Sequence, residues 1–505
     1  MEKKKGIVFL LLSFFLTAFV NGQLRVAPQL SDHMVLQRHA PIPIWGKGRP
    51  GTMVSVQLGR GLVRTTVGKD SSWQVSLKKR RHSTTPISIR INDGKESVHL
   101  KNILVGDVWL CLGQSNMEWP LEKEIHFKEE MPHLKQHLLR FFNPTYAGKG
   151  VYNAPFSDSI VRRLRPDRFY QGRWSESNME TAAQMSAVGY FFGKAIVQRE
   201  AVPVGLINLA IGGAPLEAFL SRKAMANSDL FSAKVNTSWL TNDALPKWIR
   251  ERGRQNVGHL RGTHKEDDLG PNHAFKPGFA HAAGIAPLGK LPIKGVIWYQ
   301  GESNAQEWDR VREYADLQRL LVRDLRSVWA QPKLPFYWVQ LSSIDTLNYK
   351  SHLWPAFRDQ QRRLLQDIPY GGMAVSSDVG AKDDVHPRNK KVVGQRLARW
   401  ALHQTYGKKT VPSGPLPKSV RYKKGRVLIR FNHTANGLKT TNNGPLLGFS
   451  LDGEHPAKAF LHRHTVRIPS TKKPEAIFYN WQPYALGNLE NSLGLPASTF
   501  TLKMK

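Results

Sequence analysis

The sequence predicts an α/β protein: a mainly parallel sheet flanked by helices, set between β-rich N- and C-terminal regions. Three observations lead there. From residue 106 to about residue 410, apolar runs of strand length alternate with amphipathic helical stretches. Before and after that span, apolar residues recur at every second position between Gly, Pro and Asp turns. Several of the central apolar runs end on glycine followed by residues with reactive or donor side chains, where open α/β sheets present their ligands.

Taken in order, the chain opens with a basic stretch, Met1-Glu2-Lys3-Lys4-Lys5-Gly6, then an apolar run over residues 7–20 and a small-residue junction at Val20-Asn21-Gly22. This is the pattern of a signal peptide over residues 1–22. The apolar run is too short to favour a membrane span. Export is therefore expected, to a periplasmic or extracellular location, without stable membrane insertion. Residues 23–105 are expected to form a β-sandwich-like domain. Val54, Val56 and Leu58 alternate, as do Trp73, Val75 and Leu77, and Ile87, Ile89 and Ile91.

Residues 106–410 carry the α/β alternation. The segments 105–112, 204–210, 293–300, 336–341 and 373–376 read as strands. The segments 188–200, 314–328 and 388–406 read as helices, the second with Tyr314, Leu317, Leu320, Leu321, Leu325 and Val328 on one face. Residues 221–280 are polar and poorly periodic and are expected to form a long excursion over the site. Pro412, Gly414 and Pro415 mark a linker, and residues 411–505 return to β patterning at Val427, Ile429 and Phe431 and at Val466 and Ile468.

Composition narrows the function. The 505 residues carry a formal charge of +34, which favours anionic partners. Export and the lack of RNP, zinc-finger or Arg-rich helical patterns argue against nucleic acid. Cys111 is the single cysteine; it lies in a strand and is expected to be a small buried apolar residue. Clustered Cys/His metal spacing is absent, so a zinc site is not expected.

The residues that carry chemistry centre on Gly113-Gln114-Ser115-Asn116-Met117-Glu118, just past the strand 105–112. A serine in a loop is ordinarily a turn or cap residue. A nucleophilic serine needs a base, a group to orient it and donors for an oxyanion. Asp383-Asp384-Val385-His386-Pro387 supplies a histidine and two carboxylates, with Pro387 suited to the first turn of the next helix. Either Asp taken alone is better explained by helix-end electrostatics. Ile211-Gly212-Gly213-Ala214 follows a strand and offers a close-approaching backbone N–H. Trp298-Tyr299-Gln300-Gly301-Glu302-Ser303-Asn304 also follows a strand; Asn304 offers either an amide donor or a helix cap.

The order Ser115, Gly213, Asn304, then Asp383 to His386 is similar to the blocks of SGNH hydrolases. Met117 stands where the α/β-hydrolase elbow has its second glycine. Further stretches resemble the sialate O-acetylesterase family within that superfamily. They are Met34-Val35-Leu36-Gln37-Arg38, Leu104-Val105-Gly106-Asp107-Val108-Trp109-Leu110, Lys276-Pro277-Gly278-Phe279, Gly295-Val296-Ile297-Trp298-Tyr299-Gln300-Gly301-Glu302-Ser303-Asn304-Ala305, His386-Pro387-Arg388-Asn389-Lys390 and Gly494-Leu495-Pro496-Ala497-Ser498.

The resemblance implies an SGNH-type fold and a cofactor-free serine esterase acting on O-acetylated sialic acids. It implies Ser115 as nucleophile, His386 as base, and an oxyanion hole of the Ser115 and Gly213 N–H groups with the Asn304 amide. The superfamily block favours Asp383, three before His386, as the orienting carboxylate, with Asp384 as the alternative. Two other readings stay open: an esterase of acetylated xylan or another carbohydrate, and a carbohydrate-binding protein without catalysis.

Overall fold

The computed structural model describes residues 23–262 and 267–504. The expected signal peptide, residues 1–22, lies outside the described residues.

A seven-stranded path forms the centre. Its strands in chain order are β1 (Ser97–Gly113), β2 (Leu139–Phe142), β3 (Trp174–Glu176), β4 (Val204–Asn208), β5 (Gly295–Tyr299), β6 (Phe336–Val339) and β7 (Gly371–Ala374). The spatial order is β3-β2-β4-β1-β5-β6-β7. All neighbours pair parallel except the edge pair of β3 and β2. The chain builds outward from β1 on one side, returns to β4 beside it, then crosses to β5 on the other side. That reversal leaves a crevice at the carboxyl ends of β4, β1 and β5.

Strand β1 also joins two regions. Its first half pairs with Val35–Gln37 and Ser83–Asn92, its second half with β4 and β5. The boundary expected between residues 105 and 106 thus falls inside one strand. Asp107, which interrupts the apolar pattern, is fully buried there. It accepts from Arg38 Nε and Nη2 at 2.9 and 2.8 Å, from Gln37 Nε2 at 3.0 Å and from the Tyr406 hydroxyl at 2.9 Å. A buried carboxylate needs such partners, so this cluster accounts for Gln37-Arg38 together with Asp107.

The helices expected at 188–200 and 314–328 appear as α1 (Ala187–Glu200) and α3 (Trp308–Val328). The one expected at 388–406 is shorter: α5 (Lys390–Trp400) starts three residues after Pro387, capped by the Asn389 side chain, and a wider turn, Ala401–Thr405, follows. Among the described residues, two helices of more than ten residues have no counterpart in the sequence reading. One, α2 (Lys247–Val257), lies in the segment expected to be an irregular excursion. That segment packs onto the main core, with Trp239, Leu240, Ile249 and Val257 buried in it. The other, α4 (Trp354–Asp367), buries Arg358, Asp359 and Gln361, which break its apolar period.

The described C-terminal strands build three small sheets, of four, two and three strands, around a separate core of Val427, Ile429, Phe431, Val466, Ile468, Tyr479 and Phe500. Arg358 fastens this region to the centre by donating to the carbonyls of Asn480, Gln482 and Pro483. Burial pulls its pKa down to about 9.

Candidate active site

At the end of β1 the backbone must turn sharply while staying against β5. Gly113 has φ +140°, and a Cβ there would lie 2.1 Å from the Tyr299 carbonyl oxygen. The Gln114 N–H donates to that same oxygen at 3.0 Å. Only glycine permits this approach. The turn delivers Ser115 as the first residue of a one-turn helix, Ser115–Glu118.

His386 comes from the loop between β7 and α5. Its Nε2 lies 2.8 Å from Ser115 Oγ. Three contacts hold the loop. Trp119 stacks on the imidazole with ring centres 5.2 Å apart and planes 22° apart. Asn116 Nδ2 donates to the Val385 carbonyl at 2.9 Å. The His386 N–H donates to Asp384 Oδ1 at 2.8 Å.

The same Asp384 oxygen lies 3.8 Å from His386 Nδ1. The structure thus brings Asp384, not the favoured Asp383, to the histidine; Asp383 is exposed and makes no hydrogen bond or ion pair among the described residues. The reason is local. The chain bends through 382–386 without entering a helix, so spacing does not set direction, and the carboxylate that caps the His386 amide is the one two residues back.

Burial lowers the His386 pKa below its ordinary value, and the positive charge of Lys390 adds to the effect, against Asp384. The imidazole is therefore neutral at neutral pH and able to accept a proton.

Two backbone N–H groups belong to residues that line the cavity with the serine. The Ser115 N–H, in the first turn of its helix, has no intrahelical acceptor. Gly213, at φ +71° past β4, contributes an N–H with no hydrogen-bond acceptor among the described residues, and its carbonyl accepts from Ser303 Oγ at 2.9 Å. Ser115, Gly213 and His386 line one cavity of about 270 Å³ with Gln114, Tyr152, Gly212, Trp248, Arg252, Phe275, Glu302, Ser303, Gln306, Tyr349 and Val385. A serine within hydrogen-bond reach of a neutral imidazole, beside free N–H groups, is the constellation for acyl transfer.

The comparisons with known proteins agree with this chemistry. The family model for carbohydrate esterase, sialic acid-specific acetylesterase, matches residues 280–403. Sialate O-acetylesterase of Rattus norvegicus is 27% identical over 460 residues, covering 82% of this chain and 80% of the relative. The Homo sapiens protein of that name is 27% identical over 443 residues, covering 78% and 74%. A carbohydrate acetylesterase of Xanthomonas citri superposes with a TM-score of 0.76 at 28% identity, covering 95% of this chain and 99% of that one. The chain is similar to sialate O-acetylesterases over most of its length. It is a carboxylic ester hydrolase.

One expected site residue of this esterase sits elsewhere. Asn304 is fully buried and does not line the cavity. Its Oδ1 accepts from Gln300 Nε2 at 2.7 Å and from the Leu216 N–H at 3.2 Å, and its Nδ2 donates to Glu217 Oε2 at 3.3 Å. Glu217 is itself held ionised by Arg310 and Lys234. Asn304 therefore braces the turn from behind, and the neighbouring Ser303 faces the cavity.

Gln114, which sequence reasoning passed over, does line the cavity. Its Oε1 accepts from Gln300 Nε2, the Gly301 N–H and the Ser303 N–H at 3.1, 3.4 and 3.2 Å. Those three donors fix the amide plane, and Nε2 makes no hydrogen bond among the described residues. The adjacency of Gln114 to Ser115 was the available signal.

A buried ionic group lies beneath the floor of the esterase site. Lys390 Nζ donates to Asn116 Oδ1, and Asn116 Nδ2 donates to Glu302 Oε1. Nζ also lies 5.7 and 5.5 Å from the ring centres of Trp119 and Tyr299. Burial pulls Lys390 down to about 7 and raises Glu302 above the usual carboxylate range. Among the described residues no group of three or more His, Cys, Asp or Glu is placed to hold a metal ion, and no helix is long and apolar enough to cross a membrane.

Proposed function

We propose that this esterase removes O-acetyl groups from sialic acids on glycans, with Ser115 as nucleophile and His386 as general base and acid. The observation that carries the mechanism is the 2.8 Å approach of His386 Nε2 to Ser115 Oγ beside two N–H groups without acceptors. Ser115 Oγ bonds to the acetyl carbonyl carbon as its proton passes to Nε2, and the carbonyl electron pair moves onto oxygen. The oxyanion rests on the Ser115 and Gly213 N–H groups, with Gln114 Nε2 as third donor in place of Asn304. Collapse breaks the carbon–oxygen bond to the sugar, whose oxygen takes the proton from Nε2. Water then repeats the sequence on the acetyl-serine and releases acetate. Asp384 stabilises the imidazolium that forms in each half.

Support for the sugar comes from the named activity of the curated relatives and from the cationic character of the chain. The region 106–410 is the catalytic unit in this reading, with residues 23–105 and 411–505 as β-rich flanks. The leader pattern in residues 1–22 supports export to the periplasm or cell exterior. The reading is tested by offering the purified protein O-acetylated sialic acid and acetylated xylan and measuring released acetate. Turnover of the sialate at the higher kcat/KM is expected. Turnover of xylan alone would move the substrate to neutral polysaccharides.

A further inference from the structure

Opposite Ser115, the cavity wall is formed by one face of α2. Trp248 and Arg252 stand four residues apart on that helix, and both line the cavity. Side chains at this spacing lie one above the other. The Arg252 guanidinium stacks on the Tyr152 ring at 4.9 Å from its centre. It has no ion pair and no hydrogen-bond acceptor among the described residues, and its Nη1 is buried. The indole Nε1 of Trp248 is likewise buried without an acceptor.

Most other arginines that line the interior have acceptors. Arg38, Arg310, Arg358, Arg362 and Arg396 each bond carboxylates or carbonyls. A guanidinium is always charged and carries donors only, so holding it over a ring beside a reactive serine with no acceptor is costly unless a ligand supplies one. Neither nearby acid pairs with Arg252: Glu118 pairs with Lys149 at 2.9 Å, and Glu302, which also lines the cavity, bonds Asn116 through Oε1 while its Oε2 has no hydrogen-bond partner among the described residues.

We infer that Arg252, backed by Tyr152 and joined by the Trp248 N–H, binds a carboxylate on the same sugar that carries the scissile acetyl ester. The inference rests on the sialate reading and gives its anionic group a partner. A planar fork of donors matches a carboxylate in a way a single ammonium does not. Arg252 is then a specificity-determining residue: it selects acidic acetylated sugars over neutral ones and acts mainly through KM.

The test compares kcat/KM for O-acetylated sialic acid with that for its carboxylate methyl ester, in the wild type, Arg252→Gln and Arg252→Lys. Circular dichroism establishes equal folding. A hydrogen bond to a charged group is worth about tenfold to a hundredfold in affinity. The wild type is expected to prefer the free acid by about that factor, through KM. Arg252→Gln should bring the ratio to about one, and Arg252→Lys should keep part of the preference. An unchanged ratio in Arg252→Gln, or equal use of acid and methyl ester by the wild type, overturns the inference while leaving the sialate reading intact. If the wild type cleaves neither form but cleaves acetylated xylan, the sialate reading fails and the carboxylate subsite with it. An acetylated hexuronic acid run in parallel separates a general carboxylate preference from one tied to sialic acid: cleavage at a tenth of the sialate rate or more, lost in Arg252→Gln, supports the general form.

Discussion

Replacing Asp384 by Asn removes a charge and leaves the shape of the loop. The retained amide oxygen can still accept from the His386 N–H, which Asp384 Oδ1 receives at 2.8 Å. What is lost is attraction to the imidazolium across 3.8 Å. At that separation two unit charges interact by about 1 kcal/mol in water and about 4 kcal/mol at an effective dielectric of 20. The Asp384 side chain is half exposed, so solvent screens the pair and the working value lies toward the lower end. The distance also exceeds hydrogen-bond reach, so Asp384 does not fix the tautomer in the way a bonded carboxylate would. Asp384→Asn should therefore lower kcat/KM about fivefold to tenfold, well short of the roughly 10⁴-fold loss of a carboxylate bonded to Nδ1. Asp383→Asn should stay within about twofold, as expected of an exposed charge without a partner. The assay is acetate release from one ester at a fixed pH, with folding compared by circular dichroism. A larger loss in Asp383→Asn, or wild-type turnover in Asp384→Asn, would refute the assignment.

Three further outcomes are expected. Gln114→Glu keeps the acceptor that holds the 300–303 turn but removes the donor, so kcat should fall about 100- to 1,000-fold with little change in KM; a pure KM effect would make Gln114 a sugar contact. Asn304→Ala leaves the Leu216 N–H without an acceptor and removes one of the acceptors of Gln300 Nε2, and should cost about 1–3 kcal/mol of stability in denaturant unfolding; intact stability with a large loss of kcat would restore Asn304 as an oxyanion donor. Lys390→Met removes a positive charge that lowers His386, so the imidazole should protonate at higher pH and the acid limb of the kcat/KM profile should move upward; a static or downward limb would show that Lys390 does not reach the histidine electrostatically.

Five of the seven central strands were legible as short apolar runs; Leu139–Phe142 and the edge strand Trp174–Glu176 are too short, and the latter too polar, to stand out. The meeting of Ser115 and His386 was foreshadowed by their places just past apolar runs of strand length, with glycine turns at the runs between them. Side-chain direction within a turn was not. Glu302, Ser303 and Asn304 are consecutive, and no period tells which one faces the cavity; the fold sends Asn304 behind it. Asp383 and Asp384 pose the same problem in a bend without regular dihedrals. Helix α4 was hidden because its inner face carries Arg358 and Gln361, whose burial is justified only by partners distant in sequence. Asp107 reads as a break in a strand until Arg38 and Tyr406, 69 and 299 residues away, come to meet it.

The central claim is that Ser115 is the nucleophile and His386 activates it. Its most direct test is covalent labelling with a fluorophosphonate, read by intact mass and by peptide mapping. The wild type should gain one adduct on Ser115 as esterase activity disappears. Ser115→Ala should gain none and hydrolyse no ester, and His386→Ala should label far more slowly. An adduct on another residue, or ester turnover that persists in Ser115→Ala, would contradict the account.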